Sequence, residues 1–357
     1  MRLSWVLVMA LLVSASASAS AKSEGESKLE TVFPSLPGKN NVRWWEFDWK
    51  WTEFIPVAKG APVRLYFYEL EREVARTSKP FIAQAYTDFT ERFAYVPSQR
   101  IPFLLYNSHF EFESTRAFFV SETVLGVTST KDLTMALPYW GEHQRFQHVM
   151  RHELAHQFTI QKLIDEGHAR GGCNPIVFLP LWFVEGVAER FSLEELTPEV
   201  RAVIADRLLE RGRDKPEGLP DFFAEGRMDY ESVYLLGHAR VRHLDEEYGE
   251  NTVRRILEAT PRLCRSGFGG FGFVPAPTVG SFEGLVASVV GARPEIISQR
   301  WKRWAREQVQ PALEARHPFA ALELFEEPGS GDIDSFSLSP DGRVLFYRMV
   351  DLDSGMA

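Results

Sequence analysis

The stretch that most constrains this chain is VMRHELAHQF, residues 149–158, inside a segment whose apolar spacing predicts one long helix over residues 142–165. It contains His152 and His156, four residues apart. On a helix, side chains at this spacing lie on one face, one turn above each other. The two imidazoles therefore point to the same point in space. A further side chain from another part of the fold has to reach that point if the histidines are to form one functional site.

Glu153, which lies between the two histidines, indicates the kind of site that they form. Glu153 directly follows the first histidine, in the pattern H-E-x-x-H. Two imidazoles on one helix face can bind zinc, and a glutamate beside the open coordination position can take a proton from water. Zinc lowers the pKa of that water to about 7. The motif predicts a hydrolytic site with His152 and His156 as zinc ligands and Glu153 as general base. Such a site normally needs a third protein ligand.

Histidines are poor candidates for the third ligand. A longer motif, H-E-x-x-H-x-x-G-x-x-H, is excluded because Thr159 and Lys162 stand where it has glycine and histidine. His148, one turn before the motif, and His168, after it, are more typical of polar surface residues or of residues that support a ligand.

A second predicted helix, LWFVEGVAE, offers carboxylates instead. Glu185 and Glu189 lie there among apolar neighbours that would pack on the core. A glutamate on a helix antiparallel to the first can complete a His, His, Glu set. A buried carboxylate needs a partner because an unpaired buried charge is costly, and the metal would be that partner.

The two motifs together resemble a known family. H-E-L-A-H followed by W-F-V-E-G-V-A-E is similar to the gluzincin metallopeptidases, the peptidase MA-like superfamily that includes thermolysin and the aminopeptidase N group. The resemblance covers about residues 62–260. In that family the glutamate of W-x-x-E-G is the third zinc ligand, which implies Glu185 here. The loop between His156 and Glu185 is longer than in aminopeptidase N-type enzymes.

The resemblance implies further roles. Aminopeptidase N-type enzymes carry a Y-x-x-G motif whose tyrosine hydrogen-bonds the tetrahedral intermediate; Tyr234 and Gly237 match it in YLLG, and Tyr230 is a rival. Glu189 is expected to orient a ligand histidine. The G-x-M-E-N motif, which holds a substrate's free amino end in aminopeptidases, is missing from LGVTSTKDLTMALPYW. Its absence favours an endopeptidase.

Composition and the N-terminal sequence indicate which partners and which cellular location to expect. The formal net charge of −9 argues against nucleic acid or an anionic membrane surface as a partner. The start, MRLSWVLVMALLVSASASASA, is typical of a signal peptide over residues 1–21, so we expect export to the periplasm or outside the cell, with no integral membrane segment after cleavage. Cys173 and Cys264 would then form one disulfide, or remain two separate buried thiols.

The order of predicted elements indicates an α+β fold. Strand-like segments precede a mostly helical half, which argues against a doubly wound sheet. We expect an N-terminal aromatic strand region over residues 22–60, in which Trp45, Phe47, Trp49 and Trp51 alternate with charged residues. These aromatic side chains are expected to pack in the core or in the sheet, and the alternative is a stack that binds a sugar or a peptide. A zincin-like domain with a small mixed sheet would follow over residues 61–320. Two of its strands are expected near residues 118–139.

The last segment, residues 321–357, has a strand-like pattern, in contrast to the helical segments before it. SFSLSPDGRVLFYR predicts a β-hairpin and resembles the S-P-D-G repeat of TolB-like β-propellers. One repeat cannot bury its own face, so the resemblance implies the beginning of a propeller domain that continues in a longer chain. The alternative is an ordinary terminal hairpin.

These patterns together predict an exported, zinc-dependent metallopeptidase that cleaves a peptide or protein substrate. One alternative is a catalytically inactive zinc-binding module that scaffolds a propeller for partner binding. Another is a different zinc hydrolase chemistry on the same scaffold, since fold alone does not determine function.

Overall fold

The N-terminal half of the chain builds one mixed five-stranded sheet in the order β1-β2-β3-β5-β4. In the computed structural model, which describes residues 49–113, 120, 124–168, 174–209, 218–224, 229–265, 281–314, 332–339 and 344–350, β2 runs parallel to β3, and β3 runs parallel to β5. The outer strands β1 and β4 are antiparallel to their neighbours. The strands are β1 Lys50–Phe54, β2 Val63–Phe67, β3 Ile101–Tyr106, β4 Val127–Thr128 and β5 Met135–Pro138.

Helices follow β2 and then dominate the rest of the chain. They are α1 Arg72–Phe93, α2 His109–Glu113, α3 His143–His168, α4 Leu181–Ser192, α5 Pro198–Leu209, α6 Leu236–Tyr248, α7 Thr252–Ala259, α8 Phe282–Val290 and α9 Pro294–Glu314. A π-helical turn, Glu231–Leu235, precedes α6, and short 3-10 turns occupy Glu69–Glu71, Pro175–Phe178 and Thr260–Arg265. The predicted α+β class is confirmed at this level. The predicted helix over 142–165 is α3.

A cluster of buried aromatic side chains packs α1, α3 and α4 against one another. Phe89 and Phe93 of α1, Phe158 of α3 and Phe191 of α4 have ring centroids between 4.9 and 6.2 Å apart. Phe89, Phe93 and Phe158 are fully buried. Edge-to-face and tilted rings at these separations add to the large apolar area that each ring removes from water. The relative position of α3 and α4 is therefore set by core packing close to the ligand residues.

A polar contact joins α3 to the sheet. Gln157 donates from Nε2 to the carbonyl oxygen of Leu133 at 2.7 Å. Leu133 has a left-handed backbone, with φ of 59°, in the turn between β4 and β5. Because Gln157 is buried, loss of this bond would leave a polar group without a partner. The contact holds the β4–β5 hairpin against the helix that carries the H-E-x-x-H motif.

The prediction for the N-terminal aromatic stretch is wrong for one residue. Trp49 does pack inward, with its ring 4.4 Å from Tyr68 and 5.5 Å from Tyr106. Trp51, in β1, is 57% exposed instead, and the guanidinium of Arg64 covers its ring at 4.6 Å. An edge strand has one solvated face, and a cation–π contact suits a tryptophan there. Trp45 and Phe47 lie outside the described residues.

Of the two strands expected near residues 118–139, the second is shorter than predicted, and much of the first, residues 118–119 and 121–123, lies outside the described residues. β4 contains only Val127 and Thr128, and β5 begins at Met135 rather than at Leu133. The left-handed backbone of Leu133 interrupts the extended conformation, which strand propensity alone does not register. β4 is an edge strand of the sheet, and one of its side chains contacts the site described below.

The C-terminal segment forms a unit of its own. Asp332–Leu338 (β6) and Leu345–Val350 (β7) pair as an antiparallel hairpin, which confirms the predicted hairpin. Its relation to a β-propeller stays a prediction. The expected signal peptide and Cys173 lie outside the described residues, whereas Cys264 is disulfide-bonded. No helix within the described ranges is long and apolar enough to cross a membrane.

Candidate active site

The motif helix α3 and the following helix α4 bring three potential ligand atoms together. Nε2 of His152 lies 3.1 Å from Nε2 of His156. Oε2 of Glu185 lies 3.2 Å from the first of these nitrogens and 3.1 Å from the second. All three residues are buried, with at most 8% of their surface exposed. The structure thus assembles the predicted His, His, Glu set from two helices.

The spacing of these atoms fits a zinc ion. Zinc binds imidazole nitrogen and carboxylate oxygen at 2.0–2.2 Å in a tetrahedron, which separates neighbouring ligand atoms by roughly 3.3 Å. The three observed separations are 3.1, 3.1 and 3.2 Å. Three protein ligands also match a catalytic rather than a structural zinc site, because one position of the tetrahedron stays open. The donor set therefore has the number, chemistry and spacing that zinc requires.

Glu189, one turn after Glu185 on α4, contacts the other ring nitrogen of His152. Oε1 of Glu189 lies 3.1 Å from Nδ1 of His152. Oε2 of Glu189 lies 3.4 Å from Nε2 of His148. In the neutral form that can bind a metal, we assign the proton of His152 to Nδ1, where it donates to Glu189, because this leaves the lone pair of Nε2 free. The contact that the expected role of Glu189 requires, with His152, is present, and the role itself stays a prediction.

The carboxylates of α4 are held ionised. Burial works to raise the pKa of Glu185, but the charge of His156 and the hydrogen bond from His152 outweigh it and lower the pKa to about 2. Burial is likewise outweighed at Glu189, where hydrogen bonds from His148 and His152 hold the pKa well below its usual range. At His152, burial lowers the pKa and hydrogen bonds to Glu185 and Glu189 raise it, so that it lies well above 6.5. The two ionised carboxylates thus favour a positive charge at His152.

Glu153 points to the sheet rather than to α4. Its Oε2 accepts a hydrogen bond of 2.7 Å from Oγ1 of Thr128 in β4. Gly126, just before β4, faces the same carboxylate, and a Cβ on it would stand 2.7 Å from Oε1 of Glu153. Burial raises the pKa of Glu153, and the charges of His152 and His156 oppose this rise. A raised pKa suits a group that has to accept a proton and return it.

Tyr234 lies next to His152, in the π-helical turn before α6. Its ring stacks on His152 at 6.1 Å between centroids. Burial, and then the negative charges of Glu185 and Glu153, raise the pKa of Tyr234 well above 10, so the phenol stays protonated and able to donate. Its rival Tyr230 stacks on Tyr234 at 5.3 Å and is 55% exposed. Of the two, Tyr234 is the one that stacks on His152, a predicted ligand.

Close packing of two glycines brings this tyrosine to the site. A Cβ on Gly186 of α4 would overlap the carbonyl group of Gly237 in α6, and would also stand 3.0 Å from Cγ2 of Val241. A Cβ on Gly237 would stand 2.5 Å from the carbonyl oxygen of Trp182. The two helices therefore cross in backbone contact, as glycine allows. Glu185 precedes one glycine directly, and Tyr234 precedes the other by one turn.

The structure brings together every residue that the sequence nominated: His152, His156, Glu185, Glu153 and Tyr234. Their catalytic and ligand roles remain predictions. Sequence reasoning missed the hydroxyl of Thr128 and the contact between His148 and Glu189, since neither follows a spacing within one element. Gly126, directly before the edge strand β4, was the available signal, because glycine beside a strand often marks close approach of another group.

Comparison with known proteins gives distant structural neighbours only. No family model and no curated protein matches this chain. Similar solved structures include an M1 zinc metallopeptidase from Deinococcus radiodurans, 17% identical, covering 71% of this chain and 51% of that one with a TM-score of 0.38. A variant of that enzyme bound to a Tyr-Ser-Ala substrate gives the same values.

An aminopeptidase N family protein from Idiomarina loihiensis is also similar, with 15% identity, 60% and 41% coverage and a TM-score of 0.32. The chain thus spans about half the length of the solved structures it matches. At this distance the neighbours assign no activity, which has to be argued from the site itself.

Proposed function

We propose that this protein is a zinc-dependent peptidase in which His152, His156 and Glu185 hold the metal and Glu153 is the general base. The single observation that carries the proposal is the convergence of two imidazole nitrogens and one carboxylate oxygen within 3.1–3.2 Å of one another. When bound, zinc supplies a Lewis acid that acidifies water and polarises a carbonyl oxygen.

The chain's own residues account for the proton transfers. Glu153 accepts a proton from water as the water oxygen forms a bond to the peptide carbonyl carbon, and it returns that proton to the nitrogen as the carbon–nitrogen bond breaks. The protonated phenol of Tyr234 donates a hydrogen bond to the oxyanion that develops on the carbonyl oxygen. Glu189 keeps His152 in the tautomer that leaves Nε2 free.

The proposal of an endopeptidase rests on the sequence. The G-x-M-E-N motif, whose glutamate holds the charged amino end of a substrate in aminopeptidases, is missing from LGVTSTKDLTMALPYW, residues 125–140. An aminopeptidase needs such a group, whereas an enzyme that cuts inside a chain does not.

The first experiment tests hydrolysis itself. The zinc-loaded mature chain is incubated with casein beside two variants, Glu153→Gln and Glu91→Gln, the second being an exposed glutamate of α1 far along the chain from the motif. We expect cleavage by the parent and by Glu91→Gln, no cleavage by Glu153→Gln, and one zinc per chain in all three. Equal activity of Glu153→Gln would contradict the mechanism. Zinc in all three without any cleavage would favour the inactive binding module.

A second experiment separates the two kinds of peptidase. Peptides with an acetylated amino end are compared with the same peptides carrying a free amine. We expect cleavage at internal bonds of both sets with similar rates. Release of single amino acids from the free-amine set alone would show an aminopeptidase and reject the endopeptidase proposal.

A further inference from the structure

The side chain of Thr128 makes a contact with Glu153 that neither the strand nor the helix requires. Oγ1 of Thr128 lies 2.7 Å from the carboxylate oxygen Oε2 of Glu153 and 3.1 Å from the backbone carbonyl oxygen of the same residue. A hydroxyl has one proton to donate. It goes to the carboxylate, because that oxygen is both nearer and charged, and charge-assisted hydrogen bonds are stronger than neutral ones.

The two oxygens of the Glu153 carboxylate consequently differ. Oε2 is occupied by Thr128. Oε1 makes no hydrogen bond with any residue in the described part of the chain. It lies over Gly126, where a Cβ would stand only 2.7 Å away. The short segment Gly126–Thr128 thus holds one oxygen and leaves space around the other.

We propose that Thr128 is a positioning residue that keeps Oε1 of Glu153 as the oxygen that receives and returns the proton, an inference that rests on the proposed function. Oε2 accepts from Thr128 whether Glu153 is ionised or protonated on Oε1. The proton taken from water as the oxygen–carbon bond forms therefore stays on Oε1. It remains available to the nitrogen when the carbon–nitrogen bond breaks. Without the hydroxyl, the carboxylate is free to rotate and to carry the proton on either oxygen.

The test compares Thr128→Val, which keeps the shape and removes the hydroxyl, with Thr128→Ser, which keeps the hydroxyl. Thr130→Val is the matched control, because Thr130 is exposed and lies two residues further along the same segment. Thr128→Ala is included in case valine prevents folding, since it removes the hydroxyl without adding volume. All variants are loaded with zinc, and their metal affinity and unfolding temperature are measured.

Kinetics provide the first readout. For Thr128→Val, or Thr128→Ala, we expect kcat to fall roughly 10- to 100-fold, as for loss of a hydrogen bond to a charged group. KM should stay within about twofold, because substrate binding is not what the hydroxyl supports. Zinc affinity should not change, because Thr128 contacts no proposed ligand. Thr128→Ser should recover most of kcat, and Thr130→Val should match the parent. Unchanged kcat in Thr128→Val, or a change in KM alone, would overturn the proposal.

Crystal structures of the zinc-loaded parent and Thr128→Val provide a readout that does not depend on activity. We expect the Glu153 carboxylate in one orientation in the parent and rotated or in several orientations in the variant. If the parent cleaves nothing, the proposed function fails, yet a displaced carboxylate would still support the positioning role. If the carboxylate stays in place in the variant, the positioning role is rejected whether or not the parent is active.

Discussion

Gly186 and Gly237 are in backbone contact where α4 crosses α6, and neither position has space for a Cβ. Glu185, the proposed third ligand, stands directly before one of them. Tyr234, the proposed oxyanion donor, stands one turn before the other. The two glycines therefore control the distance between the proposed metal ligands and the tyrosine.

Gly186→Ala should push the two helices apart. Its Cβ would meet the backbone of Gly237 rather than the end of a flexible side chain, so relief requires a helix shift. Overpacking of this kind destabilises by about 1–3 kcal/mol. We expect lower stability in urea unfolding and a drop in kcat that exceeds any change in zinc affinity. Parent-like stability and activity would mean that the crossing tolerates a wider spacing than the one seen.

Glu189→Gln should weaken metal binding without removing a ligand. The carboxylate at 3.1 Å from Nδ1 of His152 sets the orientation and basicity of that imidazole. Removal of such a supporting group typically costs 10- to 100-fold in metal affinity. Competition with a chelator measures the change, and Glu199→Gln, an exposed residue of α5, serves as control. Equal zinc affinities in the two variants would argue against the supporting role.

Tyr234→Phe should lower kcat by roughly 100-fold, as expected for loss of one oxyanion donor, with little change in zinc affinity. Tyr230→Phe is the control, because the ring of Tyr230 stacks on Tyr234, whereas the ring of Tyr234 stacks on the proposed ligand His152. Steady-state kinetics on a single peptide distinguish the two. A larger loss in Tyr230→Phe would transfer the donor role to that residue.

Removal of zinc should lower the unfolding temperature. Without the ion, the site leaves His152, His156 and Glu185 buried and facing one another. A ligand present at about 1,000 times its Kd stabilises the folded state by about 4 kcal/mol. Unfolding with and without a chelator should therefore differ in the parent and in Glu153→Gln, and should differ little in Glu185→Gln. A chelator effect of the same size in Glu185→Gln would show that the stabilising metal binds elsewhere.

A buried acid outside the site should make stability depend on pH. Burial raises the pKa of Asp245 from 3.8 to about 7, although Arg190 lies 3.4 Å away and opposes the rise. Between about pH 4 and about pH 7 the folded state retains this proton and the unfolded state has lost it, so stability falls as pH rises through that window. Compared with Asp245→Asn, the parent should lose free energy of unfolding across the window. Parallel curves would contradict the raised pKa.

Sequence patterns within single helices were sufficient to predict much of the candidate site. The four-residue spacing of His152 and His156 put two imidazoles on one helix face, and α3 has them there. The apolar neighbours of Glu185 predicted a buried carboxylate, and its exposed fraction is 5%. The strand-first, helix-later order predicted a small mixed sheet followed by helices. All of these follow from periodicities of 2 and 3.6 residues within single elements.

Other features required the tertiary structure. Glu185 and Glu189 are four residues apart and share one helix face, so spacing alone cannot separate a ligand from a supporting residue. The packing of α3 against α4 does so, by directing one carboxylate to Nε2 and the other to Nδ1 of His152. The bond from Thr128 to Glu153 and the contact of Gly186 with Gly237 likewise join elements distant in sequence. Such contacts depend on how elements are packed, which no pattern within one element encodes.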